Sequence, residues 1–73
     1  MKTIKIKFSA NHAEKAARLL IALEINPVIT WSEEGFLGET TIHVICKLNS
    51  ENNSISSELQ IEKLREYNYI KYF

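Results

Sequence analysis

Two segments of this chain repeat one another: Thr3-Ile4-Lys5-Ile6-Lys7-Phe8 and Thr41-Ile42-His43-Val44-Ile45-Cys46. Each alternates apolar with largely polar residues, the period-2 pattern of a strand that buries one face. Each is followed by a polar turn, a stretch of helical spacing and another short apolar run. Strand–helix–strand written twice constrains the chain to an α+β fold of the split βαβ type. The expectation is a βαββαβ two-layer sandwich, with a four-stranded antiparallel sheet and two helices on one face. On such a scaffold function lives in sites rather than in topology.

The elements can be placed in order. Residues 2–8 put Ile4, Ile6 and Phe8 on one face and Thr3, Lys5 and Lys7 on the other. Asn11 followed by Glu14 resembles a capping box. From His12 to about Glu24 the apolar spacing becomes helical, through Ala13, Ala16, Ala17, Leu20 and Leu23, with Leu19 and Ile21 widening that face. Asn26-Pro27 ends the helix, because the residue before proline is pushed out of the α region. Val28–Glu33 reads as a second strand containing Trp31. Glu34-Gly35-Phe36-Leu37-Gly38 reads as a reversal into a third strand over 39–48. That strand turns Ile42, Val44, Cys46 and Leu48 inward and Thr41, His43, Ile45 and Lys47 outward. Residues 49–54 form a polar loop, expected to be the most mobile part of the chain. Ser56–Tyr67 reads as a second helix, with Ser57 and Gln60 as its capping box and Ile55, Leu59, Ile61 and Leu64 as its apolar face. Tyr67–Phe73 reads as the last strand.

Seventy-three residues make one domain, spanning 1–73, without a linker or a second unit. A chain this short buries only about 60% of its unfolded surface. Cys46 is the only cysteine, so no disulfide can add stability, and self-association becomes an expected stabiliser. Nine basic residues balance nine acidic ones, so no global field argues for nucleic acid. No apolar run approaches the ~20 residues that span a bilayer, and the alternating N-terminus lacks a signal peptide's apolar core. The chain therefore reads as cytoplasmic, with no membrane segment.

Four groups of residues are candidates for function. The first is the outward face of the sheet, with Lys5, Lys7, His43, Ile45 and Lys47, joined by Trp31 or Ile29 and by one side of the last strand. Lysines interleaved with aromatics can bind single-stranded nucleic acid. The third strand lacks the aromatics of RNA-recognition platforms, however, and a solvated or dimer-forming face is the commoner reading. The second is Phe36 and Leu37, large apolar residues between Gly35 and Gly38 at a loop tip. They either anchor in a partner's pocket or fold back over the sheet edge. The third is the turn Ser9-Ala10-Asn11-His12, where Ser9, Asn11 and His12 could receive a small anion at a helix N-terminus, against plain capping by Asn11. The fourth is Cys46, which alternation sets on the opposite face from His43, so the two do not form a catalytic pair. No metal-ligand spacing, phosphate loop or serine elbow is present. The expectation is a protein that is not an enzyme and takes no cofactor or metal.

In the order and spacing of its elements the chain resembles an ACT-type, ferredoxin-like regulatory domain. More narrowly, it is similar to the small C-terminal domain of MgtC/SapB-type membrane proteins. The resemblance runs through Ile4–Phe8, Leu20-Ile21-Ala22-Leu23, Val28–Glu33, Thr41–Cys46, Ile61-Glu62-Lys63-Leu64 and Tyr69-Ile70-Lys71-Tyr72. It implies a regulatory module that pairs with itself and can bind an amino acid near the first strand–helix turn. That turn lacks here the glycine common in amino-acid-binding members. The expected function is a non-catalytic interaction module, a homodimer joined through its sheet or edge strands. One alternative is a stand-alone monomeric adaptor or inhibitor, of the kind phages encode, acting through Phe36 and Leu37. A second is single-stranded nucleic-acid binding on the open sheet face.

Overall fold

The computed structural model describes residues 2–48 and 54–72. The loop expected at 49–54 lies, apart from Ser54, outside the described residues, as does Phe73. The fold is α+β, in the order β1 (Lys2–Ser9), a 3-10 turn (Ala10–His12), α1 (Ala13–Ala22), β2 (Asn26–Glu34), β3 (Thr40–Leu48), α2 (Ser57–Arg65) and β4 (Lys71–Tyr72). All strand pairings are antiparallel, and the strands lie in the order β2-β3-β1-β4.

In substance the sheet has three strands. β3 pairs with β1 from Lys2↔Leu48 to Ser9↔Thr41 and with β2 from Asn26↔Lys47 to Glu34↔Thr40. The full fourth strand expected over Tyr67–Phe73 is corrected: among the described residues β4 pairs only at Ile6↔Tyr72 and Lys7↔Lys71. The intervening residues are used in turns. Tyr67 N–H donates to Leu64 O and Ile70 N–H to Tyr67 O, both at 3.2 Å, so that Ile70 can enter the core.

One core lies on one face of the sheet. Ile6, Phe8, Val44, Cys46 and Leu48 point into it from the strands. Ala16, Leu20, Leu23, Ile25, Leu64 and Ile70 close it from the helices and turns. Both helices therefore cover the same face, as the alternation of β1 and β3 requires.

The helix ends differ from those expected. At α1 it is Ser9, not Asn11, whose side chain caps: its Oγ accepts from Asn11 N–H at 3.3 Å, ahead of the 3-10 turn. At α2, Ser56 caps by accepting from Leu59 N–H at 3.2 Å, and Gln60 turns into the core instead of completing a capping box. α1 stops before Asn26-Pro27. Glu24 takes a left-handed φ of 59°, Glu24 N–H donates to Ile21 O at 3.1 Å and Ile25 N–H to Leu20 O at 2.9 Å. These two bonds, with Ile25 packed on Leu20, are a Schellman termination with glutamate where glycine is usual. Gln60, fully buried, holds that terminus from below. Its Nε2 donates to Leu23 O at 2.7 Å and to Glu24 O at 3.2 Å.

Candidate functional site

Strand β2 is an edge of the sheet, and all nine of its residues are exposed. Pro27, which cannot donate to a ladder, is tolerated there because β2 is an edge and its register slips between Pro27 and Ile29. Beyond that irregularity, Ile29, Trp31 and Glu33 lie opposite Ile45, His43 and Thr41, so they share the open face. Both Ile29 and Trp31 join that face, where the sequence leaves open which of the two does. On the helix side β2 presents Thr30, Ser32 and Glu34, too polar to extend the core.

The open face is ordered in rows across the strands. One row runs Trp31, His43, Lys7, Lys71 and the next Ile29, Ile45, Lys5. The expected residues Lys5, Lys7, His43, Ile45 and Lys47 therefore do share one surface, and Lys71 extends it. His43, expected outside, is only 9% exposed, because Trp31 stacks on it with ring centroids 5.0 Å apart and planes 2° from parallel. Lys5 Nζ sits 5.4 Å from the Trp31 ring centroid. His43 Nε2 lies 3.1 Å from Glu33 Oε1, so the imidazole donates to the carboxylate. Its Nδ1 is buried with no partner among the described residues. Glu33 as the partner of His43 was not anticipated, although the register Trp31↔His43 brings its strand into reach.

The hairpin between β2 and β3 ends in the most exposed apolar pair of the described chain, with Phe36 at 99% and Leu37 at 86%. The loop does not fold back over the edge. Gly35 N–H donates to Glu39 O at 2.6 Å, Gly38 N–H to Gly35 O at 3.1 Å, and Leu37 N–H to Glu39 Oε2 at 3.0 Å. Gly38 supplies the positive φ of 86° that closes the turn. The tip is thus a built projection.

Between α1 and β2 lies an apolar groove of about 330 Å³, floored by Phe8, Ile42 and Val44 and walled by Ala17, Ile21 and Pro27. The helical spacing predicts one packed face of α1 through Ala13, Ala16, Ala17, Leu20 and Leu23, widened by Leu19 and Ile21. Ala16, Leu20 and Leu23 are buried and Ala13 and Leu19 pack against the core, whereas Ala17 is exposed and Ile21 stands 77% exposed on the groove's rim. The small residues Ala13 and Ala17, one helical turn apart, are the signal for such a groove.

The turn at Ser9, Asn11 and His12 is largely self-satisfied. Ser9 Oγ is engaged by Asn11 N–H, and the His12 ring packs against Tyr69 at 5.0 Å. Ser9 and His12 line a shallow depression with Lys7, Glu33 and Lys71, and Asn11 stands outside it. Cys46 is fully buried, and burial pushes its thiol up to about 11, so it stays protonated at neutral pH. Among the described residues no group of three or more His, Cys, Asp or Glu could hold a metal ion, and no helix is long and apolar enough to cross a membrane. No family model matches the chain, and neither a curated protein nor a solved structure matches it.

Proposed function

We propose that this chain is a non-catalytic protein-interaction module that self-associates as a homodimer through the β2 edge. One observation carries the reading: β2 is a nine-residue edge strand, exposed throughout, with Val28, Ile29 and Trp31 open to solvent at 56%, 53% and 37%. An edge offers a row of unpaired backbone groups to another strand, and proteins that stay monomeric blunt such edges with lysine, proline, bulges or short length. Here the irregularity and Pro27 occupy one end and Glu33 and Glu34 the other, and the middle, Ile29 to Trp31, carries none of these devices. A regulatory role of the ACT type rests on the pattern of elements. The sheet order is compatible with a ferredoxin-like arrangement whose last strand is cut short. In this reading the module works in the cytoplasm and needs no cofactor.

The test is absolute mass by light scattering after size exclusion, over a wide dilution series. Twice the chain mass is expected at high concentration, and Ile29→Lys should give a monomer with unchanged circular dichroism. A wild-type monomer throughout would refute the proposal. The exposure of Phe36 and Leu37 favours one further reading, a monomeric adaptor or inhibitor that inserts this tip into another protein's pocket. It requires that wild type be monomeric and that Phe36→Ala with Leu37→Ala abolish capture of that protein.

A further inference from the structure

We propose that the second copy docks in one defined register. β2 pairs antiparallel with the partner's β2 about a two-fold axis at Thr30, and each hairpin tip closes over the other copy's α1 groove. The inference rests on the self-association proposed above and specifies its geometry.

Three observations converge on it. First, β2 runs Asn26–Glu34, so Thr30 is its midpoint, and pairing Thr30 with itself gives the longest overlap. That register sets Ile29 opposite the partner's Trp31, and Trp31 opposite the partner's Ile29, on the open face. The half-exposed side chains then form cross-strand aromatic–aliphatic pairs, with Ile45 behind each. A shift of two residues one way would set Ile29 against the partner's Glu33, and the other way Trp31 against the partner's Pro27 beside the irregularity.

Second, the charge at the two ends of β2 is unlike. Glu33 and Glu34 stand at one end, while Asn26 at the other is paired to Lys47 of β3. An antiparallel partner brings each acidic end to the end beside Lys47. A parallel one would set the glutamates side by side, which is repulsive.

Third, the same register delivers the tip to the groove. Phe36 lies six residues beyond Thr30, roughly 20 Å at the rise of a strand. An equal distance back from Thr30 on the other copy reaches residues 24–25. There Ile25, with Ile21 and Pro27, lines the apolar groove. Two exposed apolar features without a cover in one copy, the tip and the groove, therefore meet when two copies pair. At about 330 Å³ the groove is within the range of clefts that hold apolar guests, roughly 300–1,000 Å³.

The experiment is cysteine cross-linking in the full chain under mild oxidation, with Ile29→Cys, Thr30→Cys and Trp31→Cys made one at a time. Cys46 is buried, and the unsubstituted protein is the control. On the axis, the two copies of residue 30 are about 4.5–5.5 Å apart at Cα, within disulfide range. Positions 29 and 31 each lie about 8 Å from their own copies, beyond it. Rapid cross-linking of Thr30→Cys alone is the expected result. A dimer by mass that cross-links faster at 29 or 31, or at none of the three, overturns the register while self-association stands. A monomer overturns both. For the tip, Phe36→Ala with Leu37→Ala should weaken the dimer by about tenfold or more, as loss of a buried apolar anchor does. Ala17→Glu, on the groove wall, should weaken it comparably. Both sites are exposed in the single chain, so the fold should persist by circular dichroism. An unchanged dissociation constant in either folded variant overturns the tip-in-groove contact.

Discussion

Replacing Gln60 by alanine should remove much of the stability of this domain. Gln60 is fully buried, and its amide is the link between α2 and the end of α1, through bonds of 2.7 Å to Leu23 O and 3.2 Å to Glu24 O. Each bond is worth about 1 kcal/mol net, and both carbonyls belong to a helix terminus, where the last C=O groups lack intrahelical partners. Truncation also leaves a void, adding about 2 kcal/mol. The total is about 4 kcal/mol, against about 4–11 kcal/mol for a domain of 73 residues. The methionine variant separates the two contributions. Met keeps the volume but cannot donate, and it removes Oε1, which is buried without a partner among the described residues. Relief of that acceptor, about 1–3 kcal/mol, offsets the lost bonds, so Gln60→Met should cost no more than about 2 kcal/mol.

Urea unfolding followed by far-UV circular dichroism measures both, provided the slopes agree with wild type. A Gln60→Ala variant within about 1 kcal/mol of wild type would refute the reasoning, since the carbonyls would then be hydrated or otherwise paired. So would a methionine variant less stable than the alanine one. The consequence reaches the proposed interaction surface, because Leu23 and Glu24 lead directly into Ile25 at the groove and then into β2.

Further predictions follow from other buried or strained positions. Burial raises the Cys46 thiol from 9.0 to about 11. Its folded value lies above its unfolded one, so the associated stability is full below about pH 9 and lost as pH rises through about 11. Wild type should lose roughly 2–3 kcal/mol more than Cys46→Val across that window, and parallel pH profiles would refute it. At Glu24, with φ of 59°, Glu24→Gly should be more stable than Glu24→Ala by about 1 kcal/mol in thermal melts. Both variants lose the carboxylate that accepts from Ser54 N–H and Oγ, so the difference isolates the backbone. Gly38→Ala meets no neighbouring atom, yet φ of 86° should make it cost about 1 kcal/mol. No measurable change in its denaturation midpoint would mean the turn relaxes.

What could be read from the chain was what repeats locally. The alternation at Ile4, Ile6 and Phe8 and at Val44, Cys46 and Leu48 names the inner face of two strands, and the structure buries most of these side chains. The outward set Lys5, Lys7, His43, Ile45 and Lys47 follows from the same parity. Contacts between distant segments could not be read. Gln60 looks like a capping residue because Ser57 precedes it by three, and only the packing of α2 beneath Leu23 and Glu24 turns it inward. His43 looks exposed by parity, and only the pairing of β2 with β3 lays Trp31 over it. The last strand shortened for a similar reason. Its apolar and aromatic content suits a strand, but burying Ile70 and turning the chain at Tyr67 leaves, among the described residues, Lys71 and Tyr72 to pair.

The shortness of β4 and the bareness of β2 bear on one another. A sheet in the order β2-β3-β1-β4 with helices on one face can bury little beyond its two inner strands, β1 and β3, and among the described residues the core residues of the sheet come from those two. β2 contributes no buried residue, although it makes a ladder with β3 along its whole length. A nine-residue strand that gives nothing to the core, and carries its apolar side chains outward, is poorly explained by the stability of a single chain. Covering it would place Ile29 and Trp31 inside an interface and turn β2 from an edge into an interior strand. Four lysines on the open face, at positions 5, 7, 47 and 71, would then flank the seam on each copy. Zero net charge thus conceals a basic face whose extent would double in such a dimer. A dimer with Ile29 and Trp31 at its centre predicts that lysine at position 29 is far more disruptive than lysine at Thr3, on the same face but on β1. Equal effects on the dissociation constant would show that the open face, and not the edge, carries the contact.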